Sequence, residues 1–182
     1  MLPIVVLVVF VVVVVPLILG AIRPARFRIE RAARIGATPQ VVYPLVADFK
    51  RWQAWSPWEA LDPDLRRTYS GAAIGRGAVY EWDGNNKAGA GRMEITDAPS
   101  PGRIVIKLDF TRPFVAHNTT EFTFAGTDGA TDVTWTMSGA HNYMMRVMSL
   151  FFSMDKMIGK DFEKGLANLR ALAERSEQPV AR

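Results

Sequence analysis

The chain has no cysteine, two histidines, and no charged residue before Arg23. The first absence excludes disulfide staples and thiolate chemistry; it fits a reducing compartment without requiring one, because a domain of this size folds without disulfides. Two well-separated histidines and no thiol offer no metal-ligand spacing, so no metal site and no cofactor are expected. Phosphate cradles are missing as well. Gly75-Arg-Gly77 and Gly89-Ala-Gly91 are read as hairpin glycines, since no helix start follows them. Ser138 lacks the neighbours of a nucleophile elbow, and Asn118-Thr-Thr120 is a glycosylation acceptor only if the chain faces outward.

The missing charge at the start is the most telling. Leu2 to Ile22 is apolar throughout and includes the valine-rich tract Val5 to Val15. At about 1.5 Å of rise per helical residue, some 20 residues cross a hydrocarbon layer of roughly 30 Å. Pro3, Pro16 and Gly20 lie near the ends, where a helix breaker removes few internal hydrogen bonds. A cleaved signal peptide would need a charged start, a shorter apolar stretch and small residues before the cut, and Leu19-Gly20-Ala21 fits that pattern poorly. A buried core helix is disfavoured because valine is an indifferent helix former in water. The expectation is an uncleaved transmembrane anchor, residues 1–22, that makes the lipid bilayer a partner through residues 2–22.

Residues 23–36 hold Arg23, Arg26, Arg28, Arg31 and Arg34 against Glu30, a local balance of +4 that equals the net charge of the whole chain. The remainder is therefore neutral. The pI of 9.6 reflects this juxtamembrane cluster and gives no reason to expect nucleic acid, which would need a basic face on the folded domain. Arginines just after a span favour the cytoplasmic side, so a single-pass protein with a cytoplasmic domain is expected.

The rest is long enough for one core. A basic linker at 23–26 leads into a domain at 27–175 and a disordered tail at 176–182. Phe27 to Ile35 alternates as a strand, with Phe27, Ile29, Ala33 and Ile35 in the apolar register; Arg31 shares that register without an evident partner. Thr38-Pro39 reads as an N-cap and first helical residue, opening a short helix with Val41, Val42, Leu45, Val46 and Phe49 on its apolar stripe. From Leu65 to Gly139 the period is two, broken by turn-forming clusters. Tyr80 and Trp82 share one face, as do Met93 and Ile95. Ile104, Ile106, Leu108 and Phe110 continue it, followed by Phe122 and Phe124, then Val133, Trp135 and Met137. Met154, Ile158, Phe162, Leu166, Leu169 and Leu172 recur at helical spacing near the end. A sheet with one dry face should pack on a helix of matching character.

Several stretches taken in order resemble the START-like or SRPBCC superfamily, which includes polyketide cyclase/dehydrase and lipid-transport proteins. They are Ile35-Gly-Ala-Thr-Pro39, Trp52-Gln-Ala-Trp55-Ser-Pro-Trp58 with Asp62-Pro63, Tyr69-Ser-Gly71, Tyr80-Glu-Trp82 and Met157-Ile-Gly-Lys-Asp-Phe-Glu-Lys-Gly-Leu166. The resemblance spans about residues 27–175. It implies an α+β helix-grip fold, a curved antiparallel sheet wrapped around a long C-terminal helix with an apolar cavity between them, here with an N-terminal transmembrane helix added.

Such a cavity would be lined by the inward residues Tyr80, Trp82, Met93, Ile95, Ile106, Leu108, Phe110, Phe122, Phe124, Trp135 and Met137, and by Met154, Ile158 and Phe162 of the last helix. Trp55 and Trp58 either wall the mouth, Trp52 beside them, or plug the sheet edge. Tyr69 and Tyr80 are the inward hydroxyls. Catalytic groups are scarce. Glu81, Asp83, Glu94, Asp109, Glu121 and Asp132 all fall on the wet register, and His117 joins them. His141 continues the register of Trp135 and Met137 toward a cavity mouth, so His141 and Tyr80 are the candidates for any proton transfer. Asp155 and Lys156 suit a helix start and solvent.

Three functions remain open. One is a membrane-tethered domain binding a small hydrophobic or amphipathic ligand, lipid or polyketide-like. Another is a cyclase or dehydrase, implied by the resemblance. The third is a membrane-proximal interaction module with a collapsed cavity.

Overall fold

Alternation in the middle of the chain becomes a single antiparallel sheet. The computed structural model describes residues 10–141 and 143–177, and its strands are β1 (Arg26–Ile35), β2 (Arg66–Gly71), β3 (Ala78–Asp83), β4 (Ala90–Asp97), β5 (Arg103–Arg112), β6 (Ala116–Thr127) and β7 (Ala130–Ala140). Their order across the sheet is β1-β7-β6-β5-β4-β3-β2. Five consecutive hairpins build most of it; β1 joins by pairing with β7, Ile29 opposite Met137 and Arg31 opposite Trp135. To pass from β1 to β2 the chain must cross the full width of the sheet. It does so over the dry face.

That crossing is made by a helix, α2 (Pro39–Ala47), and two 3₁₀ turns, Phe49–Ala54 and Pro57–Ala60. The preceding helical segment runs from Phe10, is π-helical to Val14 and continues as α1 (Val15–Ile22). After β7 comes a six-residue helix, α3 (Tyr143–Met148), then the long α4 (Met154–Glu177). Sheet and α4 form two layers around a core of Ile29, Ile95, Ile104, Ile106, Phe122, Trp135, Phe162, Leu166 and Leu169. The wet face carries ion pairs: Arg34 with Asp132, Arg92 with Glu94, Asp83 with Arg66 and Arg112, and Asp109 with Lys107; His117 Nδ1 lies 2.7 Å from the same Asp109 carboxylate.

Some expectations change. Thr38 occupies the N-cap position, but its hydroxyl makes no cap bond to the helix; it and its backbone N–H donate to Glu177 Oε1 at 3.3 and 3.1 Å. Accordingly α4 runs to Glu177, two residues into the stretch read as tail, while 178–182 lie outside the described residues. Arg31 gains a partner set. Its guanidinium donates to Glu163 at 2.8 Å and to Asp155 at 3.0 and 3.1 Å, which makes Asp155 a tether for the helix start as well as a dipole partner. Among the described residues no helix is long and apolar enough to cross a membrane; residues 1–9 of the expected anchor at 1–22 lie outside them.

Candidate functional site

Three groups of side chains are candidates, two on the dry side of the sheet and one at its end. The first is aromatic. The Trp52 and Trp55 indole N–H groups donate to Val46 O and Leu45 O, at 2.9 and 3.0 Å, so the last turn of α2 fixes both rings. Trp55 and Trp58 each meet Trp135 edge to face, and Trp135 stacks flat on Phe162, with centroids 4.1 Å apart. Phe122 lies against Trp52, Trp55 and Trp135. The tryptophan run is therefore core: Trp52 and Trp55 are buried, and Trp58 is half-buried. One polar atom inside this cluster is unmatched, because Trp135 Nε1 has no hydrogen-bond partner among the described residues. Such an orphaned donor costs about 1–3 kcal/mol until something accepts from it.

The second group sits under β2 and β3. Tyr80 donates to Glu59 Oε1 at 2.7 Å, and Arg67 Nε donates to Glu59 Oε2 at 2.7 Å. Tyr69 stacks on Tyr80 and accepts from Gln53 at 3.0 Å. Burial and the adjacent Glu59 carboxylate hold the Tyr80 hydroxyl far above its ordinary range, so it stays protonated as a donor. Burial also pushes Tyr69 up. Glu59 is an inward carboxylate that strand alternation cannot reveal, because it enters from a 3₁₀ turn on the opposite layer. Its only sequence signal is its place directly after Trp58.

The third group is an open pocket of about 540 Å³ where β1 begins, β7 ends and α4 starts. Phe27, Ile29, Leu150, Phe151, Phe152 and Met154 form its apolar lining; Arg23, Arg26, Arg28, His141, Ser149 and Asp155 bring polar atoms. His141 stacks on Phe27 at 4.8 Å. Burial first, and the nearby Arg146 charge second, lower its pKa and favour the neutral ring; its Nε2 is without a hydrogen-bond partner among the described residues.

The inward residues of the sheet thus lie where alternation places them. Ile95, Ile106, Phe122, Phe124, Trp135 and Met137 are buried in the core with Tyr80, Met93 and Leu108; Trp82, Phe110, Tyr69 and Ile158 are partly buried against it. Of these candidates, Met154 and His141 line the open pocket. Tyr80 and His141 belong to separate groups. Among the described residues no cluster of three metal-ligating side chains occurs.

In sequence the chain matches the family described as polyketide cyclase/dehydrase and lipid transport over residues 26–174. It belongs to that family. No curated protein matches it in sequence. Solved structures share the fold. The Zhui aromatase/cyclase from Streptomyces sp. R1128 aligns with a TM-score of 0.62 at 14% identity, covering 86% of this chain and 98% of that one. A Staphylococcus aureus protein of unknown function aligns with a TM-score of 0.63 at 11% identity, covering 85% and 97%. The di-domain aromatase/cyclase StfQ of the steffimycin biosynthetic pathway aligns with a TM-score of 0.63 at 12% identity, covering 84% of this chain and 52% of StfQ. At these identities the likeness speaks for the helix-grip architecture alone.

Proposed function

We propose that this family member is a bilayer-tethered helix-grip domain that takes a small hydrophobic or amphipathic molecule, lipid or polyketide-like, between its sheet and α4. The observation that carries the reading is the open pocket at that junction. Its volume, about 540 Å³, lies within the span of small-molecule sites, and its lining is about equally polar and apolar, which suits an amphipathic guest. Met154 lines this pocket, and Ile158 and Phe162 follow one and two turns on along the same side of α4, beyond the lining and packed into the core. Phe162 stacks on Trp135, whose N–H, without a partner among the described residues, is a donor for a carbonyl or hydroxyl of a guest that enters the core. Arg23 and Arg26 on the rim suit an acidic head.

The tether supplies the concentration. A sparingly soluble ligand is richest in or beside the membrane, and Leu2 to Ile22 hold the pocket there, with the domain on the cytoplasmic side by the arginine rule. The full chain in lipid nanodiscs, extracted and examined by native mass spectrometry, is expected to carry a bound apolar compound beyond the disc lipid. Repeated recovery of an empty protein across a lipid panel would reject ligand binding and favour the interaction module, to which the tight ring packing around Trp135 is also suited.

Glu59 supports a second reading, a cyclase or dehydrase. A carboxylate and a protonated phenol 2.7 Å apart on the apolar face are chemically capable of relaying a proton. Turnover of a polyketide-type substrate that is unchanged in Tyr80→Phe and in His141→Ala would remove both residues from such a role.

A further inference from the structure

The end of the sheet where the apolar N-terminal segment joins carries two further apolar tips. We infer that this end is a bilayer-contacting face: the domain lies on an acidic phospholipid surface through Phe114–Val115 and Phe151–Phe152 instead of hanging free from its tether. The inference rests on the tether proposed above and adds a contact made by the domain itself.

The register places the three features together. Arg26, the first residue of β1, is opposite Ala140, the last of β7. Asn118 of β6 is opposite Gly139, and Ala116 is opposite Phe110, so the β5–β6 turn projects past this same end. On that turn Phe114 is 75% and Val115 67% exposed. Beyond β7, Phe151 and Phe152 are 65% and 57% exposed. The other end of the sheet differs. Its turns, 72–77, 98–102 and 128–129, expose one large apolar side chain, Ile74.

Phe151 and Phe152 are held in place against the N-terminal segment. Tyr143 Oη donates to Leu17 O at 2.6 Å and Arg146 to Ala21 O at 3.3 Å. Gly20 leaves the space that Val147 fills. The backbone N–H groups of Phe151 and Phe152 donate to Met148 O at 3.0 and 3.1 Å. If α1 enters a bilayer, α3 and the two phenylalanines therefore arrive at its surface with it. Clustered exposed aromatics are rare on monomers and mark contact sites, and each phenylalanine removed from water contributes roughly 25 cal/mol per Å² of apolar area. Charge selects the lipid. Arg23 and Arg26 at the junction, and Lys87 in the β3–β4 turn at the same end, form no ion pair among the described residues, and basic side chains at this depth are attracted to anionic headgroups. A flat acidic surface meets both tips and these cations; a protein groove would have to match three separate projections.

A chain without cysteine allows a clean test. Phe114→Cys, Phe151→Cys and, at the opposite end, Asp128→Cys are each labelled with a nitrobenzoxadiazole fluorophore in the full chain, one chain per nanodisc of phosphatidylcholine and phosphatidylserine. Quenching by doxyl-labelled lipid is expected to be several-fold stronger at 114 and 151 than at 128, and to weaken at 114 in Phe151→Ser/Phe152→Ser. Quenching at 114 no stronger than at 128, in a chain that co-migrates with the discs, overturns the docking face and leaves the tether standing. Shielding at 114 that requires two chains per disc overturns it in favour of a second copy. A chain recovered outside the discs overturns tether and docking together.

Discussion

Arg31 shows how much one side chain of the wrong polarity can reveal. It occupies an inward position between Ile29 and Ala33, where a valine would satisfy the alternation, yet it secures the start of α4 through Asp155 and Glu163. The partner is distant in sequence, so no local pattern announces it. The same contact holds the Asp155 carboxyl below its ordinary value of 3.8. A carboxyl depressed in the folded state adds stability above its unfolded pKa and loses it as pH falls through the folded value. Arg31→Met is therefore expected to lower thermal stability at neutral pH and to flatten the loss of stability on acidification below about pH 4. Thermal melts across an acid series, with amide exchange over Met154 to Glu163, check both effects; an unchanged acid limb would show that Arg31 does not hold the helix. Tyr80 offers a second residue-scale test. Tyr80→Phe removes one bond to Glu59 and leaves the Arg67 bond, so the cost is expected to be about 1 kcal/mol, read as a shift in the urea midpoint.

At the scale of elements, what was legible followed from periodicity. Strand alternation places Tyr80, Met93, Ile106, Phe122 and Trp135 on the dry face, and helical spacing gives α4, because each pattern repeats over enough residues to exclude the other. Two kinds of segment escaped. The six-residue α3 is less than two turns long, too short for a period, and the 3₁₀ turns bring in Glu59 with no repeat at all. The glycines of α4 are legible only as part of the family motif, and the structure supplies their reason. Gly159 lies under the Arg31 guanidinium, and a Cβ at Gly165 would stand 2.8 Å from Trp135 Cζ3 and 3.2 Å from Pro57 Cδ. An alanine at 165 would gain about 1 kcal/mol of helix propensity, while overpacking a filled core costs about 1–3 kcal/mol. Gly165→Ala is thus expected to destabilise, by about 1 kcal/mol net, and to perturb the near-ultraviolet circular dichroism of the tryptophan cluster. Increased stability with an unaltered spectrum would mean that α4 has room to move away from the sheet. Trp55→Ala, which empties a buried ring site, is expected to cost about 3–5 kcal/mol in chemical denaturation.

For the whole molecule, the decisive asymmetry is between the two ends of the sheet. One end gathers the apolar N-terminal segment, the open pocket, arginines without an ion pair among the described residues and both exposed aromatic tips; the turns at the other end expose one large apolar side chain, Ile74. The arginines and the apolar run were plain in the sequence, whereas the aromatic tips were not, since exposure at a turn depends on which strands pair and how far each hairpin projects. On the proposed tether, they would set one orientation, with the pocket end toward the bilayer and the basic cluster on its cytoplasmic face. The charge bias that sets topology acts within the first residues after a span. A reporter enzyme fused after Arg182 is accordingly expected to be active inside the cell and inactive outside it. Replacing Arg23, Arg26 and Arg28 by glutamine, which leaves the Arg31 contact to α4 intact, is expected to weaken that bias and yield a mixed population. Activity on the outer side in the unaltered chain would reverse the proposed orientation, and with it the proposal that ligand is drawn from the cytoplasmic leaflet.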